Sequence, residues 1–311
     1  MSFSLTVLGS SSALPTSKRN PTAHVINIHE HFFLIDCGEG TQMQMHKFNI
    51  NRSKINHIFI SHLHGDHIFG LFGLFSTYNL LNRKNDLNIY AHPEMIHTIN
   101  YYKENFGLNL TYNIIIHTFK AKKSSLIFEN KHLTVETIPL KHRIPTVGFL
   151  FREKEKPKNI SKEVIKQYNI SIKDIVKIKQ GADFITDSGE IIKNEILTLP
   201  PYKRRSFAYC SDTVYTENIL PIISGVNLLY LETTFLDRDQ KLAKLTYHMT
   251  AVQAATLASK ANAERLLIGH FSARYKDESL LLKEARSIFR NTDIAEDGST
   301  YTITSERIRN N

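Results

Sequence analysis

The stretch Ser61-His62-Leu63-His64-Gly65-Asp66-His67 packs three imidazoles and one carboxylate into seven residues. The residues before it, 55–60 (Ile-Asn-His-Ile-Phe-Ile), form a short apolar run with β-branched members, the pattern of a buried strand. The ligand-type side chains therefore stand where a strand ends and a loop opens, and Gly65 lets that loop turn tightly. His62 and His64, two residues apart, can aim at one metal ion. Asp66 and His67, leaving at another angle, can aim at a second. Imidazole and carboxylate suit zinc, and two metal ions roughly 3.5–4 Å apart form a clamp for hydrolysing esters and phosphodiesters. A His-rich polar loop without metal is the plainer alternative, but H-x-H-x-D-H behind a strand is far more specific than a lone histidine.

Outward from this stretch, short apolar runs recur, each ending in a polar, ligand-capable residue. His142 follows a strand over 132–140, Asp212 follows Tyr209-Cys210-Ser211, and His270 follows Leu267-Ile268-Gly269. Alone, each would be an ordinary structural residue; with the H-x-H-x-D-H stretch they make a set of strand-end ligands. Strands are also expected at 4–8, Ala23–Ile28, 31–36, Leu87–Ala91, 113–119, 146–151, Ser206–Cys210, 227–231, 265–269 and 301–304. Helices are expected at 41–48, 69–81, 93–105, 214–223, 277–289 and from Thr250 onward, where Ala251, Ala254, Ala255 and Ala258 form a small-residue face. Strands alternating with helices, with chemistry at strand ends, define an α/β fold. The helix over 69–81 is strongly apolar, as for an element facing both the core and another subunit. Residues 152–205 show no core pattern.

The chain has 311 residues, enough for one large or two ordinary domains. Its net charge of +9 suits an anionic partner such as nucleic acid. The cations are concentrated at 152–179, with nine Lys/Arg against four acids. Cys37 and Cys210 form no C-x-x-C pair, which excludes a zinc ribbon or thioredoxin-type motif. Two cysteines do not staple a chain of this size, so a reducing cytosol fits. The first twelve residues alternate like a strand and lack the layout of a secretion signal. The longest apolar stretch, 68–81, contains Ser76, Thr77 and Asn79 and is too short for a bilayer, so no membrane partner is expected.

The order of ligands resembles the metallo-β-lactamase superfamily, and within it the short-form ribonuclease Z family. The resemblance covers about residues 3–305. It rests on Phe33-Leu34-Ile35-Asp36-Cys37-Gly38-Glu39-Gly40-Thr41-Gln42, on Ile60 followed by the H-x-H-x-D-H stretch, and on Gly269-His270-Phe271-Ser272-Ala273-Arg274-Tyr275, the most family-specific block. It implies a four-layer αβ/βα sandwich as a single domain, 1–311, with a protruding basic arm inserted at 152–205. It implies that His62, His64 and His142 hold one zinc ion, that Asp66, His67 and His270 hold a second, and that Asp212 bridges both; manganese is the alternative metal. Asp66 would accept the proton of the attacking water, and His248, oriented and charged by Glu232, would protonate the leaving 3′ oxygen.

The activity implied is that of an endoribonuclease removing the 3′ trailer from tRNA precursors, leaving a 3′-hydroxyl on the tRNA and a 5′-phosphate on the trailer. The implied partners are precursor tRNA and a second copy of the chain, in the cytoplasm. Lys18, Arg19 and Arg274 near the site, and Lys154, Lys156 and Lys158 in the arm, are the expected RNA contacts, as cations that meet phosphates without reading sequence. The chain departs from the family at Leu231, where a histidine usually precedes the glutamate, at Met249 in place of serine, and at Ser17 in place of lysine. Two other readings compete: a small-molecule phosphodiesterase, arylsulfatase or thioesterase on the same fold, and a non-catalytic RNA-binding protein. The basic arm and the Ser272-Ala273-Arg274-Tyr275 block weigh against the first, and the complete ligand set against the second.

Overall fold

The computed structural model describes residues 2–106 and 109–307. The chain divides into two compact units, Met1–Arg152 with Ser206–Ile303, and Glu153–Arg205 with Thr304–Asn311.

The larger unit is built on two seven-stranded sheets. The first runs Thr300–Thr302, Phe3–Gly9, Ala23–Ile28, His31–Ile35, Ile55–Phe59, Leu87–Ala91, Ile114–Thr118. The second runs Thr292–Ile294, Leu266–Gly269, Leu228–Glu232, Ser206–Cys210, Val147–Glu153, Leu133–Pro139, Leu126–Glu129. Strands of the second sheet such as Ser206–Cys210 and Leu228–Glu232 are buried at every residue, as expected for strands covered on both faces.

Three apolar clusters fix the layers. Side-chain alternation sends Phe33, Ile35 and Phe59 to one face of the first sheet, where they meet Phe149, Tyr209 and Tyr230 of the second. The opposite face, Leu34, Ile58 and Ile89, packs on Met45, Leu71, Phe75 and Ile99 from helices Thr41–Lys47, Gly70–Leu80 and Met95–Asn105. On the far side, Leu229, Leu231 and Ile268 pack on Ala251, Ala254, Ala258 and Leu281 from helices Ala251–Lys260 and Ser279–Ile288. This is the helix–sheet–sheet–helix order expected from the resemblance. The small-residue face after Thr250 lets its helix lie close, and Thr250 with Gln253 closes a full capping box. Gly70 is required by proximity: a Cβ there would fall 2.0 Å from the Gly38 carbonyl.

Strand direction positions the chemistry. His31–Ile35, Ile55–Phe59 and Leu87–Ala91 run parallel, as do Ser206–Cys210, Leu228–Glu232 and Leu266–Gly269. Asp36 and His62 thus leave the same end of the first sheet, and Asp212, Glu232 and His270 the same end of the second.

Two expectations are corrected. The helix over 214–223 is mostly loop: Thr216 stays extended and caps a short turn, Glu217–Ile219, and only Leu220–Ile223 is α-helical, entered through Pro221. The segment 152–205 does have a core, in the smaller unit. Helices Lys162–Gln167 and Ile172–Lys179, capped by Ser161 and Ser171, place Ile170 and Ile178 against Ile192 and Leu197. Its base is closed by Arg205, whose guanidinium meets the buried Glu153 carboxylate at 2.7 Å.

Candidate metal centre

Asp36, Asp212 and His270 share a backbone feature. Each follows a strand and takes a left-handed φ, 54°, 27° and 60°. Asp and His adopt this region more readily than most residues, and such strained positions gather at functional sites.

The structure brings all seven expected ligands together. Asp212 is the centre. Its Oδ2 lies 3.5 Å from His62 Nε2 and 3.6 Å from His142 Nε2, while its Oδ1 lies 3.3 Å from His67 Nε2 and 3.1 Å from His270 Nε2. His64 joins the first group through Nδ1, 3.0 Å from His62 Nε2 and 3.3 Å from His142 Nε2. Asp66 joins the second, its Oδ2 3.5 Å from His67 Nε2 and 3.7 Å from His270 Nε2. A tetrahedral zinc with ligands at about 2.0–2.1 Å has ligand–ligand edges of about 3.3–3.4 Å. The spacings found here bracket that edge in both groups.

The outer hydrogen bonds fix the tautomers. Asp36 Oδ2 accepts from His67 Nδ1 at 2.8 Å. Ser61 Oγ donates to Asp36 at 2.8 Å, so it accepts from His62 Nδ1 at 3.0 Å. Thr234 Oγ1 donates to Glu232 at 2.6 Å and accepts from His270 Nδ1 at 3.1 Å. His142 Nδ1 donates to the Tyr247 carbonyl at 3.0 Å, an oxygen carried by a residue with φ 63°. Each proton on Nδ1 leaves an Nε2 lone pair facing inward, the usual support of a metal-ligating histidine. His67 Nε2 and His270 Nε2 are buried and make no hydrogen bond. These orphaned atoms and the chemistry of the donor set fit divalent metal ions.

Electrostatics agree. Burial holds His62 well below the usual imidazole pKa and also lowers His64 and His142, so this group is neutral and ready to ligate. Burial also disfavours a charge on His67, but Asp66, Asp212 and Asp36 around it outweigh burial and raise it well above the usual value. The second group therefore calls for positive charge. Burial would raise Asp212, yet His270, His67 and His62 hold it well below the carboxylate range.

His248 stands beside the ligands, its ring 5.2 Å from that of His142 and 5.4 Å from that of His270. Its Nδ1 donates to Glu232 at 2.8 Å. Burial alone would lower its pKa, but Glu232 raises it to about 9. The pair forms despite the departures at Leu231 and Met249, both fully buried in the apolar cluster behind it. Glu232 is itself fixed by the Thr213 and Met249 amides at 2.8 and 3.2 Å.

The expected RNA-contacting cations fare differently. Arg19 is held inside the fold: its Nε pairs with Glu278 at 2.8 Å, an Nη donates to Ser10 and to the Ala295 carbonyl, and its plane covers Phe271. Lys18 is exposed. Arg274 is exposed and lies over Phe235. Lys154, Lys156 and Lys158 are half-buried and lie in the smaller unit. There Lys156 pairs with Glu153 at 3.3 Å and Lys158 donates to Asn194 at 2.7 Å. The arm's outward charge is carried instead by Lys162, Lys166 and Lys173. Sequence reasoning gave no role to Asp36, Ser61, Tyr209 and Thr234. The one local signal was Asp36, which ends an apolar run as the ligands do.

A family profile described as "Anti-Pycsar protein Apyc1" matches residues 3–158, a span holding the H-x-H-x-D-H stretch and His142 but not Asp212, Glu232, His248 or His270. The chain is 47% identical to "Ribonuclease Z" of Phocaeicola vulgatus over 307 residues, 99% of both chains. It is 46% identical to "Ribonuclease Z" of Bacteroides thetaiotaomicron over 301 residues, 97% of this chain and 95% of that one. The crystal structure of human tRNase Z, short form, superposes with a TM-score of 0.70 at 25% identity, covering 97% of this chain and 99% of the human one. With the first half of its fold shared with the Apyc1 profile and nearly its whole length with these enzymes, the chain belongs to the ribonuclease Z family.

Proposed function

We propose that this protein is a zinc-dependent endoribonuclease that cuts the 3′ trailer from tRNA precursors, leaving a 3′-hydroxyl on the tRNA and a 5′-phosphate on the trailer. The observation that supports it most is the division of Asp212 between two imidazole groups beside the paired His248 and Glu232. His62, His64 and His142 would hold one ion, Asp66, His67 and His270 the other, with Asp212 between them. When bound, the pair lowers the pKa of water towards neutrality and polarises the phosphodiester.

The chain's own residues supply the rest. Asp66 remains ionised, because His67 outweighs the effect of burial and holds its pKa well below the carboxylate range, so it is always in the accepting form. It orients the attacking water and accepts its proton as the new bond to phosphorus forms. As the bond from phosphorus to the 3′ oxygen breaks, that oxygen takes the proton of His248, and Glu232 stabilises the imidazolium until then. The exposed lysines of the arm would hold tRNA phosphates, giving affinity through counterion release.

A second copy of the chain would cover the ends of the apolar helix, where Phe69, Leu80 and Leu81 are 62%, 85% and 57% exposed. Two free, buried thiols, Cys37 and Cys210, suit the reducing cytoplasm, and among the described residues no helix is long and apolar enough to cross a membrane.

The competing reading is a small-molecule phosphodiesterase on the same fold; the family profile over residues 3–158 does not reach the proton donor His248 or its partner Glu232. Incubating the purified protein with a 3′-extended tRNA and with a chromogenic phosphodiester, each with and without chelator, separates the readings. Chelator-sensitive release of a trailer with a 5′-phosphate supports the ribonuclease. Turnover of the small diester alone overturns it.

A further inference from the structure

Two clefts leave the metal centre, both within the larger unit. One, about 570 Å³, is lined by His248, Tyr247, Tyr215, Lys241 and Lys244, and by Lys141, which also borders the second. The other, about 690 Å³, is lined by Lys122, Lys123, Lys141 and Arg143, with Ser124, Thr216 and Asn218 as neutral hydrogen-bonding groups. Among the described residues, no acidic one lines either cleft. The second is continuous with the centre, because His142 and Arg143 line it and the metal pocket alike. Lys122, Lys123, Lys141 and Arg143 are all exposed. They come from loops of both sheets: Lys122 and Lys123 follow strand Ile114–Thr118, and Lys141 and Arg143 follow strand Leu133–Pro139. Four cations facing one groove without an acid among them repel one another, an arrangement that a polyanion relieves.

The polarity of the reaction says which strand lies where. This step rests on the ribonuclease reading above. The oxygen that leaves is the 3′ oxygen of the tRNA, and it takes its proton from His248. The nucleotide bearing it therefore lies on the His248 side, in the cleft with Tyr247 and Tyr215. The phosphate stays with the trailer, and the second cleft, opening at Arg143, is the outlet that His248 does not line. We propose that the cleft lined by Lys122, Lys123, Lys141 and Arg143 is the path of the trailer, and that these side chains hold the phosphates of single-stranded RNA on the 3′ side of the cut.

The path makes affinity depend on trailer length. In Lys122→Ala/Lys123→Ala, KM for a precursor with a trailer of about ten nucleotides rises about tenfold, while KM for a single-nucleotide trailer moves less than about twofold. Equal changes for both lengths overturn the proposal. A second measurement needs no cleavage. The wild-type protein and the Lys122→Glu/Lys123→Glu variant are titrated with a fluorescent, 5′-phosphorylated decanucleotide by anisotropy over a range of salt. Weaker binding with a salt slope smaller by about 1.4, the value for two phosphates of a single strand no longer neutralised, supports the path. Identical affinity and slope overturn it. If the variant loses oligonucleotide binding while the wild type leaves precursor tRNA uncut, the ribonuclease reading fails and a single-strand groove stands. If the wild type cuts precursor and oligonucleotide binding is unmoved, the cleft assignment alone fails.

Discussion

Replacing Asp36 by Asn keeps the shape of a buried side chain, removes its charge and turns one acceptor into a donor. Asp36 accepts four hydrogen bonds, from the Ser61 amide at 2.7 Å, Ser61 Oγ at 2.8 Å, His67 Nδ1 at 2.8 Å and Tyr209 OH at 2.7 Å. The amide oxygen of Asn can retain the Ser61 amide. The amide nitrogen then stands where Oδ2 met His67, and donating to Nδ1 forces the imidazole proton onto Nε2. That atom faces Asp212 and Asp66 and must have a free lone pair to bind a metal. A hydrogen bond to a charged group contributes about 1.5–3 kcal/mol. Loss of such an outer partner weakens metal binding roughly 10–100-fold, or about 1.4–2.7 kcal/mol, so the two figures agree. The assay is a titration of metal-free protein against a chelating dye. Asp36→Asn weakens the ion held by Asp66, His67 and His270 by about 10–100-fold, and weakens the other less, because His62 feels Asp36 only through Ser61 Oγ. Two ions bound as in the wild type, or both weakened alike, would refute the tautomer argument.

Three further outcomes are expected. Glu232→Gln removes the carboxylate that raises His248 to about 9, so burial then dominates and the pKa falls; the acid form is lost at lower pH, and the falling limb of kcat against pH moves down, whereas an unmoved limb would show that His248 is not the acid. His248→Ala lowers kcat on precursor RNA about 10²–10⁴-fold but has far less effect on a nitrophenyl diester, whose leaving group needs no proton, so equal losses on both would point to a damaged metal centre instead. Deleting residues about 155–195 spares the small diester and raises KM for precursor tRNA, with a shallower salt dependence; loss of both activities together would count against a binding arm.

The metal-binding stretch was legible because its signal is local: four ligand residues within seven positions, behind a strand whose apolar pattern spans six. His142, Asp212 and His270 are single residues at strand ends; that shared placement made them a set with the H-x-H-x-D-H stretch, and the family resemblance divided them between two ions. Most supporting atoms were not legible, because their partnerships span long chain distances. Tyr209 reaches Asp36 across 173 positions and Thr234 reaches His270 across 36. Arg19 read as a free cation in a polar loop, since nothing nearby in sequence announces Glu278. The core of 152–205 was missed because its apolar residues are spread over three short helices and two-residue strands, too short for any period to register. The helix over 214–223 failed for the opposite reason: apolar content suggested it, but Thr216 and Pro221 set where helical turns can begin.

Positive φ at residues 36, 212 and 270 separates folding from chemistry at those places. Asparagine tolerates that geometry better than most residues, and glycine tolerates it best. Asp212→Asn and His270→Asn would keep the chain's path while discarding the reaction, which makes them natural traps for capturing uncut RNA. In a saturation library scored for solubility and cleavage separately, Asn and Gly at these positions would come out soluble but silent, and β-branched residues would fail both screens.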